Sequence, residues 1–180
     1  PLYSSAASDV YKRQAIGVQT AQRYLRSVGI ELDERDANLS LALGSMTYGT
    51  SPVQMAAAYA PFANGGTYYA PYFIERITDR DGNVIYERET TGTRVLSAQS
   101  AYLMTSLLKT VISSGTGTRL SSVGTPVAGK TGTNSDQKGV FFAGMTGYYS
   151  SALWVGHDNY KALSSKSTGS RSAAPLWQSY

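Results

Sequence analysis

The stretch Ala128-Gly129-Lys130-Thr131-Gly132-Thr133 carries the most chemical information in this sequence of 180 residues. A lysine ammonium can bind an anion and can assist proton movement beside a nucleophile. The hydroxyls of Thr131 and Thr133 can hydrogen-bond a carboxylate. Gly132 has no Cβ, so a strand edge at this position can come close to another molecule. The stretch therefore predicts a strand edge suited to an anionic ligand, although Lys-Thr-Gly alone is short enough to occur by chance.

The residues that follow this stretch predict the rest of an antiparallel sheet. After a polar turn, residues 140–145 and 149–155 have the apolar, β-branched and aromatic content of two further strands. Near the end of the chain, Ala174-Pro175 is typical of the first turn of a helix, because proline is tolerated there.

A helix is predicted before the stretch and separated from it by a loop, because Ser97 is a suitable N-cap and Gly115 a suitable stop after Ser114. The predicted buried face of this helix consists of Leu103, Leu107, Leu108 and Val111. Helices beside an antiparallel sheet make the predicted fold class α+β.

Two more helices are predicted in the first third of the chain. Residues 18–28 carry apolar side chains at helical spacing, and Gly29 is a natural helix stop. Ser51 at the N-cap, Pro52 at the first helical position and Gln54 reaching back form a capping box, so a second helix is expected to begin there.

A hairpin is predicted between these helices and the later one. Residues 72–78 and 84–89 have strand composition. Residues 79–82, Asp-Arg-Asp-Gly, form the turn between them, because Asp and Gly tolerate positive φ.

Composition excludes several classes of site. The chain has 16 Lys and Arg against 12 Asp and Glu, a net charge of +4, but the basic residues are scattered, so we expect no nucleic-acid partner. There is no cysteine, and His157 is the one histidine, so we expect neither a thiolate nor a histidine metal centre, and no cofactor. No stretch approaches the roughly 18 apolar residues of a membrane helix.

A nucleotide-binding pattern is also present and is not expected to function. The segment from Gly124 to Thr131 satisfies G-x-x-x-x-G-K-T. A phosphate loop needs a hydrophobic strand before it and a helix after it. Ser121-Ser122-Val123 is a poor strand, and Gly132-Thr133-Asn134 indicates a strand end and a turn.

Three further candidates have simpler structural explanations. Ser106-Leu107-Leu108-Lys109 is a Ser-x-x-Lys string, but it lies in the middle of a predicted helix, so we expect a surface serine and lysine. His157 and Asp158 are neighbours, and adjacent residues on a strand point to opposite faces, so they cannot form a catalytic pair. The acidic turn at residues 79–83 lacks the length and final Glu of a calcium loop.

Two long segments together resemble the class A penicillin-binding proteins. The first runs from Leu41-Ala42-Leu43-Gly44 through Thr50-Ser51-Pro52-Val53-Gln54-Met55-Ala56 to Phe62-Ala63-Asn64-Gly65-Gly66. The second joins the Lys-Thr-Gly stretch to Phe142-Ala143-Gly144, Trp154-Val155-Gly156-His157-Asp158-Asn159 and Ala174-Pro175-Leu176-Trp177. The order and spacing of these elements match the family over residues 15–180.

The resemblance implies a partial penicillin-binding transpeptidase domain, related in fold to the β-lactamases. It also implies a role for each residue of the stretch. Lys130 would be catalytic, Thr131, Gly132 and Thr133 would bind substrate, and the Thr133 backbone N–H would be an oxyanion-hole donor. The implied partners are peptidoglycan stem peptides ending in D-Ala-D-Ala, and β-lactams.

The resemblance also implies elements that these residues do not match. The family's Ser-x-x-Lys, which carries the nucleophile, and its Ser-x-Asn both precede Lys-Thr-Gly, and no Ser-x-Asn occurs in the sequence. We therefore expect these 180 residues to be inactive by themselves. A class A β-lactamase-like hydrolase and a non-catalytic module that binds cell-wall peptides are the alternatives.

Domain boundaries follow from the same resemblance. Pro1 to about Arg13 has no helical or strand period and resembles a translated sequencing adapter, so we interpret residues 1–14 as non-native, with a natural flexible terminus as the alternative. Residues 15–180 are assigned to the C-terminal part of the transpeptidase domain. The longer protein would carry an upstream glycosyltransferase domain and an N-terminal anchor that holds it on the outer face of the bacterial cytoplasmic membrane.

Overall fold

The computed structural model describes residues 11–12 and 14–180. The helices are α1 (Val18–Ser27), α2 (Pro52–Ala63), α3 (Ala98–Ser113) and α4 (Ala174–Gln178). The strands are β1 (Thr67–Tyr68), β2 (Arg76–Thr78), β3 (Val84–Glu87), β4 (Thr93–Arg94), β5 (Ala128–Thr133), β6 (Gly139–Met145) and β7 (Ser150–Gly156). The prediction for residues 1–14 lies largely outside the described part of the chain and stays a prediction.

The main sheet has three antiparallel strands in the order β5-β6-β7, as the sequence predicts. Its register pairs Lys130 with Ala143, and Thr131 with Phe142. Because directly paired residues project from the same face of a sheet, Thr131 lies on the face of Phe142, and Lys130 lies on the opposite face. The register therefore divides the Lys-Thr-Gly stretch between two surfaces.

The face that carries Phe142 is covered by the end of the chain. Phe142 and Val140 are fully buried against Ala173 and Ala174, which belong to the π-helix Gly169–Ala173 and to α4. The Trp177 ring meets Phe142 edge to face at 4.9 Å between centroids. This cluster fixes the Gly169–Ala173 helix over β5 and β6.

The face that carries Lys130 packs against α2 and α3. Met145 and Ala128 are buried there with Leu108 of α3, and Tyr59 and Phe62 of α2 pack against them. The two helices are tied together by Thr105, whose hydroxyl donates to the Phe62 carbonyl at 2.8 Å.

The capping box predicted at the start of α2 is present. The Gln54 backbone N–H donates to Ser51 Oγ at 3.2 Å, and the Ser51 backbone N–H donates to Gln54 Oε1 at 2.9 Å. Pro52 occupies the first turn, where its missing N–H leaves no broken bond. Local sequence therefore determines where α2 begins.

Helix α3 has the predicted limits but not the predicted buried face. Leu108 is buried, whereas Leu103 and Leu107 are each 62% exposed, so their assignment to the buried face was wrong. The buried residues are Ala101, Leu108 and Ile112. Apolar residues occur around most of this helix, so helical spacing alone does not select the face that meets β5 and α2.

The predicted hairpin is present, but its strands are shorter than residues 72–78 and 84–89. Strands β2 and β3 pair antiparallel with a bulge at Ile77/Thr78. In the turn, Asp79 Oδ1 accepts the backbone N–H groups of Asp81 and Asn83. Next to the ladder the Arg88 N–H donates to the Glu75 carbonyl at 2.9 Å, and the Arg88 guanidinium lies 4.0 Å over the Tyr72 ring.

Candidate active site

Strand β5 is the outer strand of its sheet in the described part of the chain, so one of its edges has no neighbouring strand. The Asn134 N–H donates to the Gly139 carbonyl at 3.1 Å, across the sheet. Because successive backbone amides in an extended chain point to opposite sides, the Thr133 N–H points away from β6, toward the open edge. This is the direction that a donor to an incoming oxyanion needs.

Lys130 is exposed on the face shared with Ala128 and Ala143. Its Nζ donates to the Thr131 carbonyl at 2.9 Å, which draws the side chain along the strand edge. An ammonium has three donors, so two remain for a ligand. The structure therefore places a cation beside the open edge.

The Thr131 hydroxyl has a partner that the sequence analysis did not identify. Thr131 Oγ1 lies 2.6 Å from Thr116 Oγ1, in the turn after α3. The sequence does contain a signal for this contact. Gly115 and Gly117 flank Thr116, and two glycines around one residue indicate a tight turn that exposes its side chain.

The Thr133 hydroxyl is held by the end of the chain. The Gly169 N–H donates to Thr133 Oγ1 at 3.0 Å. In this bond the hydroxyl oxygen is the acceptor, so its own proton is still available to a ligand. The two threonine hydroxyls project from one face of β5, and each is oriented by a residue distant in sequence.

Gly132 permits close packing within the sheet. A Cβ there would lie 3.1 Å from Phe141 Cβ, at the paired position of β6. Three of the four predicted site residues contribute polar groups along one strand: the Lys130 ammonium on one face, the Thr131 and Thr133 hydroxyls on the other, and the Thr133 N–H toward the open edge.

The nucleotide-loop pattern has no phosphate-loop geometry. Lys130 and Thr131 lie inside β5, and Asn134 begins a short 3₁₀ turn (Ser135–Gln137) that leads into β6. The lysine is followed directly by the rest of a strand and not by an α-helix, so the helix N-terminus that a phosphate loop requires is not there.

Neither Ser-x-x-Lys string has the arrangement of a nucleophile and its base. Ser106 is exposed in the middle of α3. A second string, Ser135-Asp136-Gln137-Lys138, was overlooked in the sequence analysis and lies in the β5–β6 turn. There Lys138 pairs with Asp136 at 3.7 Å and lies over the Tyr160 ring, so its cation already interacts with these two groups.

The remaining candidates are surface features. His157 and Asp158 are exposed and follow directly after β7. In residues 11–12 and 14–180, no group of three or more His, Cys, Asp or Glu side chains could hold a metal ion. In the same residues, no helix is both long and apolar enough to cross a membrane.

Two cavities lie beside the helices, and neither is lined by Lys130, Thr131 or Gly132. One, of about 650 Å³, lies between α3 and the β6–β7 turn and is bordered by Tyr102, Lys109 and Tyr148. The other, of about 390 Å³, is apolar and lies between α1, α2 and α3, bordered by Leu25 and Met104. The candidate site is thus an open strand edge and not a closed pocket.

Comparison with known proteins identifies the domain. The family described as the penicillin binding protein transpeptidase domain matches residues 4–176. Penicillin-binding protein 1A of Clostridium botulinum is 39% identical over 165 residues, which cover 90% of this chain and 20% of that protein. Penicillin-binding protein 1F of Bacillus subtilis is 42% identical over 116 residues, 64% of this chain and 16% of that protein.

Solved structures give the same result for the fold. The crystal structure of penicillin-binding protein 1A from Haemophilus influenzae matches with a TM-score of 0.85 and 27% identity, covering 97% of this chain and 32% of that one. An imipenem acyl-enzyme complex of penicillin-binding protein A from M. tuberculosis matches with a TM-score of 0.69 at 21% identity, covering 91% of this chain and 43% of that one, a likeness of fold alone. The present chain spans a fifth or less of the two curated relatives' length.

Proposed function

The chain belongs to the penicillin-binding protein transpeptidase family, and on this premise we propose that it supplies the substrate-binding strand of a serine DD-transpeptidase that cross-links peptidoglycan. The observation that carries the proposal is the open edge of β5. There a lysine ammonium, two oriented threonine hydroxyls and an outward backbone N–H lie along one strand. These are the donors that a peptide ending in a carboxylate requires.

The proposed substrate is a stem peptide ending in D-Ala-D-Ala. Its terminal carboxylate accepts hydrogen bonds from the hydroxyls of Thr131 and Thr133, and the nearby Lys130 ammonium offsets its negative charge. The carbonyl oxygen of the reacting peptide bond accepts from the Thr133 N–H, which lies on the open edge. Hydrogen bonds to that oxygen strengthen as it becomes an oxyanion.

The proposed reaction is acyl transfer through a serine ester. The serine Oγ attacks the carbonyl carbon of the penultimate D-Ala, the bond to the terminal D-Ala breaks, and the serine proton passes through a base to the departing amine. An amine of a second stem peptide then attacks the ester carbonyl, the bond to the serine Oγ breaks, and the proton of the amine returns through the base to the serine oxygen. We place this serine in a Ser-x-x-Lys element outside these 180 residues, because neither string within them has suitable geometry.

The proposal extends to the longer protein and to its inhibitors. β-Lactams present a carboxylate and a strained amide in the same relation as D-Ala-D-Ala, so they are expected at the same edge. From the resemblance to class A proteins, the proposal includes an upstream glycosyltransferase domain and an anchor that holds the longer protein on the outer face of the cytoplasmic membrane.

An NMR titration of the 180-residue chain with acetyl-D-Ala-D-Ala tests the binding part of the proposal. We expect amide shifts to concentrate at residues 130–133 and 169, and to be absent with the acetyl-L-Ala-L-Ala control. Shifts centred on the cavity beside Tyr102 and Tyr148, or no shifts at millimolar ligand, would contradict the proposed site.

A further inference from the structure

The turn that follows α3 holds one threonine in a fixed position. The N–H groups of Gly115 and Gly117 both donate to the Val111 carbonyl, at 3.1 and 2.9 Å. A Cβ at Gly115 would lie 2.8 Å from Val111 Cα, and a Cβ at Gly117 would lie 2.7 Å from Ile112 Cδ1. A larger residue is therefore disfavoured at Gly115, where its Cβ would meet backbone, and Thr116 lies exposed between the two glycines.

This turn directs the Thr116 hydroxyl at the candidate site. Thr116 Oγ1 lies 2.6 Å from Thr131 Oγ1, and either oxygen can be the donor in the free protein. Each hydroxyl has one proton. If Thr131 donates to Thr116, the Thr131 proton is used within the protein, whereas if Thr116 donates, that proton remains for a ligand.

We propose that Thr116 is a positioning residue: it donates to Thr131 Oγ1 when a carboxylate binds, and so directs the Thr131 proton at that carboxylate. This inference rests on the proposed function, because it assumes that a carboxylate binds at β5. The pair is a donor relay in which the Thr116 hydroxyl donates to Thr131 Oγ1 and the Thr131 hydroxyl donates to the carboxylate. It also restricts Thr131 χ1, which otherwise samples more than one staggered rotamer.

In this arrangement Thr116 favours the binding of ligands that end in a carboxylate. A carboxylate oxygen only accepts hydrogen bonds, so it benefits from an oriented donor. A terminal amide offers a weaker, neutral acceptor and donors of its own, so it can also bond a Thr131 hydroxyl that is turned the other way. Removal of the Thr116 hydroxyl should therefore reduce the ratio of acid affinity to amide affinity. A general loss of packing would weaken the binding of both ligands and leave this ratio unchanged.

The test measures binding of acetyl-D-Ala-D-Ala and of its C-terminal amide to the 180-residue chain by NMR titration. Thr116→Val keeps the shape of the side chain and removes the hydroxyl, and Thr116→Ser keeps the hydroxyl. We expect Thr116→Val to weaken acid binding about fivefold, the effect of one neutral hydrogen bond, with the amide unchanged. Thr116→Ser should restore most of the acid affinity.

The outcomes separate this inference from the proposed function. If the unaltered chain does not bind the acid, the proposed function fails. If it binds and the acid-to-amide ratio is the same in Thr116→Val, the relay alone is wrong. In a Thr131→Val background, Thr116→Val should cause no further loss, because its effect passes through Thr131; an additional loss would contradict the relay. Thr116→Ala replaces Thr116→Val if that variant folds poorly.

Discussion

Gly169 and Thr133 are joined by a hydrogen bond of 3.0 Å in which the Gly169 N–H donates to Thr133 Oγ1. The two residues are 36 positions apart in the sequence. The bond links the C-terminal π-helix to the strand that carries the candidate site. The orientation of the Thr133 hydroxyl, which we propose binds substrate, thus depends on how the residues around Gly169 pack on the sheet.

Gly169→Ala tests this dependence. The added Cβ would lie 2.6 Å from both the Gly132 and the Phe141 carbonyl oxygens, so the π-helix must move off the strands. We expect a loss of about 1–3 kcal/mol in the free energy of unfolding, as for other overpacked sites, measured by urea denaturation. Gly124→Ala is the matched control, because a Cβ there meets nothing within 4 Å; equal losses in both variants would contradict the packing described.

Ser51→Ala should destabilise the start of α2. The substitution removes the Ser51 Oγ that accepts the Gln54 N–H, so one of the first amides of the helix loses its acceptor. We expect a cost of about 1 kcal/mol in urea denaturation. Ser106→Ala, at an exposed position in the middle of α3, should be neutral or slightly stabilising. The capping box would be energetically unimportant if Ser51→Ala were as stable as Ser106→Ala.

Stability should fall in acid because of a carboxylate in the loop before α2. Asp36 accepts hydrogen bonds from the Thr47 hydroxyl, the Thr47 N–H and the Asp33 N–H. These bonds lower the pKa of Asp36 below its usual range, and the bond from the Thr47 hydroxyl has the largest effect. Hydrogen bonding to Arg35 lowers the pKa of Asp33 to about 2.

The sign of the pH effect follows from these lowered values. The stability contributed by the ionised carboxylates is present above their unfolded pKa, about 3.9, and is lost as the pH falls through their lowered folded pKa values, of which that of Asp33 is about 2. We expect Asp36→Asn to be less stable than wild type at pH 7, with a gap in urea midpoint that narrows by pH 2.5. Asp158→Asn, at an exposed position, is the control at pH 7. A gap that stays constant with pH would show that Asp36 does not contribute through its charge.

Sequence predicted the parts of the fold that local chemistry determines. The capping box at Ser51 specified the start of α2, and β-branched and aromatic content specified β6 and β7. The buried face of α3 was not predictable in the same way, because Leu103 and Leu107 belong to an apolar surface wider than the contact that the sheet offers.

The candidate site likewise combines residues that the local sequence predicts with contacts that it does not predict. The sequence identified Lys130, Thr131 and Thr133 as site candidates, but it did not identify the residues that form hydrogen bonds with the two threonines. Thr116 is 15 residues from Thr131, and Gly169 is 36 from Thr133. Such contacts follow from the path of the whole chain over the sheet, which no local pattern encodes.

The most direct measurement is the rate at which labelled penicillin acylates the longer protein, obtained by sequencing the source DNA upstream of Ala15. Wild type is compared with Lys130→Ala and with Lys109→Ala, which removes an exposed lysine from α3. We predict an adduct on a serine of an upstream Ser-x-x-Lys, slowed at least about 10²-fold by Lys130→Ala and unchanged by Lys109→Ala. An adduct on Ser106 or Ser135, or equal rates in wild type and Lys130→Ala, would contradict the assignment of β5 as the substrate-binding strand of an acyl transferase.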